Sequence, residues 1–463
     1  MISRRRFLEV GGVTAGMAAA ASHALAAAAT ATSATTSSAA KKSDDASLPP
    51  SLAQLKSRKG EATPITKGER AERQERARQL MMMSANALDA IVLMAGTSLQ
   101  YFTGIRWWGG ERLFALVLPA KGAAFYVCPA FEEGRAREQL SNAQNGDGEH
   151  ADVRVWQEDE SPYQLVADGL RQRGIATGKV GIEEMIRFVF ADGMAKAAPQ
   201  ATLASATPVT AGCRMIKSAH EIALMRLAAQ VTLAAYEAVY RALRPGMTER
   251  DASDLIDAAY RQLGFPGDAS IMVDESTASP HGSAAPQVIR EGSILMIDDG
   301  CTVEGYQSDI TRTFVLGKAS GSAGGKTNED KMKEDKMKKV FDIVLQAQSA
   351  ALAAARPGAE CGSIDAAARK VITDAGYGPD YKYFTHRLGH GLGMDGHEWP
   401  YLVRGNQTKL QANMTTSNEP GIYIRGEFGV RIEDDMHITE NGAELFTPQT
   451  WSLEDPFGKG SQG

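Results

Sequence analysis

Two copies of Arg-Pro-Gly, Arg244-Pro245-Gly246 and Arg356-Pro357-Gly358, stand 112 residues apart, and each separates two helix-patterned stretches. After each comes a Gly-aromatic pair (Gly264-Phe265, Gly376-Tyr377), again 112 apart, then His-Gly (His281-Gly282, His390-Gly391), 109 apart, and then an acidic residue (Asp298, Glu419), 121 apart. Pro-Gly by itself is a generic turn. Four landmarks in one order at nearly one offset imply a duplicated α+β unit, with a pseudo-two-fold relation between the halves. Their acidic strands then face each other across a shared cleft, a natural place for a metal site.

At 463 residues the chain has room for two or three domains and a sizeable core. Its 43% hydrophobic and 23% charged residues exclude the disordered, collagenous and disulfide-dense classes. Lys and Arg number 50 against 56 Asp and Glu, a net charge of −6, and no basic run follows a phosphate backbone, so no nucleic-acid partner is expected. The four cysteines, Cys128, Cys213, Cys301 and Cys361, form no CxxC pair and read as buried small hydrophobes.

Residues 1–26 resemble a twin-arginine export signal: Arg4-Arg5-Arg6-Phe7-Leu8 precede a weakly apolar Gly/Ala stretch ending in Ala24-Leu25-Ala26, a small-residue cleavage pattern. That stretch is too short and too rich in Gly and Ala for a membrane span. The expectation is a periplasmic or otherwise exported protein with no stable membrane insertion after cleavage. Residues 27–67, rich in Ala, Ser and Thr and then of mixed charge, read as a disordered linker. Residues 68–210 read as a small α/β domain, with a helix over 69–87, apolar strands over 90–94, 113–118, 124–128, 153–156 and 179–182, and helices over 163–173 and 188–198. This part carries no catalytic constellation. A second domain over 211–455 opens with an amphipathic helix at 218–243, and 456–463 form a short tail.

The chemistry concentrates in the second domain. Leu295-Met296-Ile297-Asp298-Asp299-Gly300, followed by Gln307-Ser308-Asp309-Ile310-Thr311-Arg312-Thr313, is an apolar strand running into an acid, a turn, and a second acid eleven residues on. One such hairpin is common on surfaces. Three further segments change its weight: Thr385-His386-Arg387-Leu388-Gly389-His390-Gly391 running on to His397-Glu398; Ser417-Asn418-Glu419-Pro420-Gly421; and Gly429-Val430-Arg431-Ile432-Glu433-Asp434-Asp435. Four carboxylates and one imidazole suit two hard or borderline divalent ions better than one structural zinc.

On these residues the chain resembles the M24 "pita-bread" metallopeptidases, within them the aminopeptidase P and prolidase branch, with a creatinase-like N-terminal domain over 68–210. The resemblance implies an α+β pita-bread catalytic domain over 211–455 behind a smaller α/β domain. It fills five metal-ligand positions: Asp298 on one ion, His390 and Glu419 on the other, Asp309 and Glu433 bridging. It implies two divalent ions, Mn²⁺ first, with Co²⁺, Zn²⁺ or Fe²⁺ as alternatives. The implied reaction is hydrolysis of the Xaa-Pro bond of short proline-containing peptides by a hydroxide held between the metals. Glu419 would be general base and proton shuttle, and His397 the partner of the oxyanion or amide oxygen. His281, His386, His397 and Arg431 would line the substrate site, with His281 close to the reacting centre. A homodimer or larger homo-oligomer is also implied.

Other readings stand beside these. His150, His220 and His437 lie outside the motifs and are expected to be surface or satisfied core residues. Arg431 is as well explained by holding Glu433 or Asp434 in place as by substrate contact. For Trp107-Trp108 core packing is the default, and contact with a neighbouring subunit's site the alternative. Residues 320–327 mimic a phosphate-binding loop, but Ser320 replaces its first glycine and no acidic Mg²⁺ strand accompanies it, so a flexible loop leading into a charged helix start is the better account. Methionine aminopeptidase shares the ligand set but not the extra domain. A binding-only relative would lack ligands, and all five are present.

Overall fold

The computed structural model describes residues 48–83, 85, 87–142, 150–317 and 327–457. The export signal, residues 27–47 of the expected linker and the glycine-rich run 320–326 lie outside them. Thr327 is described. Its Oγ1 accepts from Asp330 N at 3.1 Å, so it caps the helix Asn328–Ala354, into which the charged repeat 329–338 runs.

The N-terminal domain is built on strands β1 (Ala90–Met94), β2 (Ala115–Pro119), β3 (Phe125–Pro129), β4 (Val153–Trp156), β5 (Lys179–Ile182) and β6 (Thr202–Ser205). They form one mixed sheet in the order β4-β3-β2-β1-β5-β6. β1 is central and apolar at every position because both faces are covered. Ala90, Val92 and Met94 join one core, Ile91 and Leu93 the core on the opposite face. β6 is the strand the sequence did not announce. Its burial is partial and it pairs only at the sheet edge.

The expected linker is a correction. From Pro50 the chain is packed onto the second domain: Leu52 is fully buried, Ser51 Oγ donates to Ala238 O at 2.7 Å, and Arg58 N donates to Leu263 O at 2.9 Å. Leu52 and Ile65, buried in the core with Leu55 and Ala62 packed against it, hold a stretch that is otherwise mostly polar. At the other end Phe457 packs against Tyr240, so the tail is anchored at its start.

The second domain shows the duplication directly. Helix Ala219–Ala242, the turn at Arg244-Pro245-Gly246 and helix Glu249–Leu263 are matched by helix Asn328–Ala354, Arg356-Pro357-Gly358 and helix Cys361–Asp374. Gly246 and Gly358 adopt φ of 94° and 85°, left-handed values that disfavour any Cβ, and each N–H bonds an equivalent carbonyl, Ile289 O or Leu410 O, at 2.8 Å. Among the described residues one helix, Ala219–Ala242, is long and apolar enough to cross a membrane. Most of it is buried, with Val231, Ala235 and Val239 inside a core that includes Leu295, Ile297 and Phe314.

Each helical pair lies with a sheet. β7 (Ser270–Val273), β8 (Ile294–Asp298) and β11 (Arg312–Val315) run in the order β11-β8-β7; the β9 (Thr302–Val303) and β10 (Tyr306–Gln307) hairpin joins β8 to β11. In the second half β12 (Gly389–Gly391), β13 (Glu398–Leu402), β14 (Thr415–Asn418), β17 (Asp434–Ile438) and β18 (Ala443–Leu445) form the order β13-β12-β14-β17-β18, with β15 (Gly421–Ile424) and β16 (Phe428–Arg431) as a separate hairpin. Ile297 pairs with Arg312 as Asn418 pairs with Asp434, so β8 matches β14 and β11 matches β17. Asp298 and Glu419 therefore close equivalent central strands, as expected. His281 and His390 do not correspond: His390 lies on β12, whose counterpart is β7, whereas His281 lies in the loop after it. That landmark was a coincidence of composition.

Candidate active site

Asp298 ends β8, and the backbone then turns through Asp299 at φ 104°, a strained value for a non-glycine residue. Asp299's carboxylate accepts from Ser270 N and Oγ at 3.1 and 2.8 Å, which holds the turn. The β9–β10 hairpin brings the chain back to Asp309, whose N–H donates to both carboxylate oxygens of buried Asp435 at 3.2 Å. Glu419 follows β14 directly and Glu433 precedes β17. His390 sits in β12 between two glycines that no other residue replaces: a Cβ on Gly389 would meet Ser417 O at 2.2 Å, and one on Gly391 would meet Trp399 O at 2.2 Å.

These five side chains converge. Ligand atoms of Asp298, Asp309 and Glu433 lie within 4.8 Å of one another; so do those of His390, Glu419 and Glu433, and those of Asp309, His390 and His397. His390 Nε2 is 3.3 Å from Glu419 Oε1 and 3.7 Å from Asp309 Oδ2. His390 Nδ1 lies 3.1 Å from Gly391 O, so its hydrogen is on Nδ1 and Nε2 presents a lone pair to the acids. Burial and then His397 push this imidazole down to about 3, so it stays neutral in the working range.

The acids are held against their own repulsion. Burial and the carboxylates of Asp298 and Glu419 lift Asp309 well above the ordinary carboxylate range; burial, Asp309 and Glu419 do the same to Glu433. Glu419 is pushed up to about 8, by burial and then Asp298, against the lowering effect of Arg431. Four clustered acids answered by one guanidinium are a poor arrangement for a protein alone and a good one for divalent cations. Donors on one ion at roughly 2.0–2.2 Å lie no more than about 4.4 Å apart, so the observed spacing needs only small side-chain adjustment. The donor set fits two ions, with Glu433 common to the triad of Asp298 and Asp309 and to that of His390 and Glu419.

The remaining expected residues separate by role. All of them border a cleft of about 400 Å³ that also exposes the acids. His281 is exposed at its rim. His397 stacks on His390 with ring centroids 3.7 Å apart, and its Nδ1 lies 3.1 Å from Arg387 Nη2. A guanidinium only donates, so Nδ1 accepts and the hydrogen of neutral His397 is on Nε2. Burial, Arg387 and His281 all lower its basicity.

Arg431 is buried and spends its donors on protein groups: Nε to Thr311 Oγ1 at 2.9 Å, Nη1 to Pro280 O and Tyr423 OH at 3.0 Å, and Nη2 to Asp298. The structural alternative raised for it fits better than substrate contact, but its main partner is Asp298, not Glu433 or Asp434. His386 likewise has both nitrogens engaged, Nδ1 with Arg387 O and Nε2 with Tyr423 OH, each at 2.8 Å. It braces Tyr423 and sits 3.7 Å from Glu419 Oε2. Burial and Arg431 push it down to about 3.

Several functional groups escaped sequence reasoning. Thr311 Oγ1 touches Asp298 and Glu433 together. Ser417 Oγ accepts from His390 N at 3.0 Å and donates to Glu419 Oε1 at 3.2 Å. Arg387, Thr311, Ser417 and Asp435 lay inside motifs already singled out, where nearness to an expected ligand was the available signal. Tyr423 carried none. Trp107 takes the core-packing default, stacked on Phe114 at 4.2 Å, while Trp108 is exposed. His220 and His437 pair with Glu69 and Glu444 away from the cleft.

The fold and this acid–imidazole cage define a metallopeptidase class. Residues 223–440 match the metallopeptidase family M24, and residues 73–216 match the creatinase/prolidase N-terminal domain. The putative dipeptidase YkvY of Bacillus subtilis is 34% identical over 351 residues, 75% of this chain and 90% of that protein. An Xaa-Pro dipeptidase of Lactobacillus delbrueckii subsp. lactis is 31% identical over 389 residues, 80% of this chain and 96% of that protein. Among solved structures, dipeptidase PepE from Mycobacterium ulcerans superposes with a TM-score of 0.74 at 32% identity, covering 85% of this chain and 99% of that one. The Xaa-Pro dipeptidase from Bacillus anthracis gives 0.68 at 28%, covering 83% and 99%. The chain belongs to metallopeptidase family M24, and its two folded domains are the creatinase-type N-terminal domain and the pita-bread catalytic domain.

Proposed function

We propose that this protein is a dinuclear-metal peptidase that hydrolyses the Xaa-Pro bond of short peptides. The observation that carries it is the pair of donor triads sharing Glu433, set in a cleft of ligand-binding size. Relatives named Xaa-Pro dipeptidase support proline after the scissile bond. Manganese is the proposed ion, with Co²⁺, Zn²⁺ or Fe²⁺ as alternatives, because carboxylates outnumber the imidazole four to one. The complete ligand set argues against a binding-only relative. The N-terminal domain argues against a methionine aminopeptidase.

Bound divalent ions supply Lewis acidity and bring the pKa of water from 15.7 towards about 7. The protein's own groups do the rest. Glu419 takes a proton from the attacking water and passes it to the proline nitrogen, a tertiary amide nitrogen that must acquire a proton to leave. His397 donates its Nε2 hydrogen to the oxygen on which negative charge develops. Tyr423, Arg431 and His386 hold Asp298 and Glu419 in place, and His281 at the rim meets the substrate. Export by the twin-arginine route to the periplasm is proposed on residues 1–26, and a homodimer or larger homo-oligomer on the family resemblance.

The test is release of free amino acid from Xaa-Pro and Xaa-Pro-Xaa peptides, each against its Xaa-Ala counterpart, with Mn²⁺, Co²⁺ or Zn²⁺ added. Equal rates on the alanine peptides would remove the proline specificity. Inactivity with every ion would remove the peptidase.

A further inference from the structure

His397 leads into a buried anion that the chemistry above does not use. Glu398, the next residue, is 7% exposed; its Oε1 accepts from Lys217 Nζ at 2.7 Å and its Oε2 from Arg214 Nη2. Arg214 ends the last helix of the N-terminal domain, Thr207–Arg214, and also donates to Asp395 Oδ2 at 2.6 Å. Asp395 Oδ1 in turn accepts from Thr97 Oγ1, at the start of another helix of that domain, at 2.6 Å. On its opposite side the loop 393–396 is tied to the hairpin that carries Asp309: Gln307 N donates to Gly393 O at 2.7 Å and Gln307 Nε2 to Met394 O at 3.0 Å. Met394 packs against the N-terminal domain's core. The loop before the catalytic histidine is thus fixed by the neighbouring domain on one flank and the metal hairpin on the other.

We propose that Arg214 and Glu398 are positioning residues for His397, so that docking of the N-terminal domain sets the angle at which His397 meets the reacting carbonyl. Neither residue reaches the cleft, so they act through the backbone at 397. The assignment rests on His397 acting in hydrolysis as proposed above, and it explains why a domain without catalytic groups accompanies this site. A displaced imidazole loses transition-state contact while ground-state binding through the metals persists.

The experiment is a double-mutant cycle on the full-length, metal-loaded enzyme with an Xaa-Pro dipeptide: Arg214→Met, His397→Ala, and both together. Arg214→Met is expected to lower kcat about 10-fold or more while KM changes less than about 3-fold and metal content is unchanged. In the His397→Ala background the same change is expected to alter kcat less than about 2-fold, because the histidine it positions is gone. Losses that simply multiply would overturn the proposal, as would an unchanged kcat in Arg214→Met. An unchanged kcat in His397→Ala alone would instead overturn the role of that histidine, and the proposal with it. Should Arg214→Met fail to fold because the buried Glu398 keeps Lys217 as its one remaining cation, Arg214→Lys, which keeps the charge but not the guanidinium shared between Asp395 and Glu398, enters the same cycle with the same expected outcomes.

Discussion

Thr311 and Glu433 occupy equivalent places in the two halves of the catalytic domain and touch each other, Oγ1 to Oε2 at 2.6 Å. Each immediately precedes the strand that returns beside its half's central strand, β11 in one and β17 in the other. The duplication kept the position and changed the chemistry. One copy offers a carboxylate to the proposed metal site. The other offers a hydroxyl that accepts from Arg431 Nε and is shared between Glu433 and Asp298, fixing the distance between two acids that would otherwise repel.

Thr311→Val keeps the shape and removes the hydroxyl. Losing this support beneath two donors is expected to weaken metal binding by about 10–100-fold with the fold retained. Titration of metal-free protein with Mn²⁺ checks it. An unchanged affinity would mean that Arg431 alone orients Asp298.

Glu419→Gln replaces the acid proposed to move the proton with an amide that cannot. Turnover should fall by at least about 10²-fold while circular dichroism stays native. Near-normal hydrolysis would pass the proton-transfer role to another group.

Without bound ions, burial and Asp298 push Glu419 up to about 8, and Asp309 and Glu433 are also raised. The folded value lies above the ordinary carboxylate value of about 4.3. Each such acid therefore contributes stability that is present below its unfolded pKa and is lost as pH rises towards its folded pKa, for Glu419 from about 4 to about 8. Bound ions keep the carboxylates ionised and remove this loss. The gap in Tm between metal-loaded and EDTA-treated protein should widen from pH 5 to pH 8, and calorimetry at pH 7 should detect proton release on metal binding. A gap that is constant or narrows over that range would contradict the raised values.

Arg312 and Asp434 form an ion pair in which neither side chain is exposed, Nη2 to Oδ1 at 2.6 Å, and Arg312 Nη1 also donates to Glu433 O at 2.8 Å. Arg312→Met leaves Asp434 with only Thr447 and Gln348 as side-chain partners. A cost of about 3–5 kcal/mol in urea unfolding is expected, and Arg312→Met/Asp434→Leu should cost less than the single change. A single-variant cost below about 1 kcal/mol would show that water replaces the lost cation.

What the sequence determined by itself is local or periodic. β1 was legible as Ala90–Met94 because an apolar run buried on both faces advertises its length. The Arg-Pro-Gly turns and the matched acids Asp298 and Glu419 were legible because duplication writes itself as a repeated spacing. The five donors, carried by motifs on separate strands, were identified through family resemblance and then found together. Only the tertiary structure decided what each charged group does once buried. Arg431, open between substrate contact and a structural role, turned to Asp298 because Thr311 Oγ1, Pro280 O and Tyr423 OH take its other donors in a buried setting where no solvent competes. The packing of residues 50–67 on the second domain was equally hidden, since a few buried apolar side chains in a polar stretch leave no periodic trace. The contacts of Arg431 with Asp298 and of Thr311 with Glu433 join residues more than a hundred positions apart, and neither composition nor spacing encodes those.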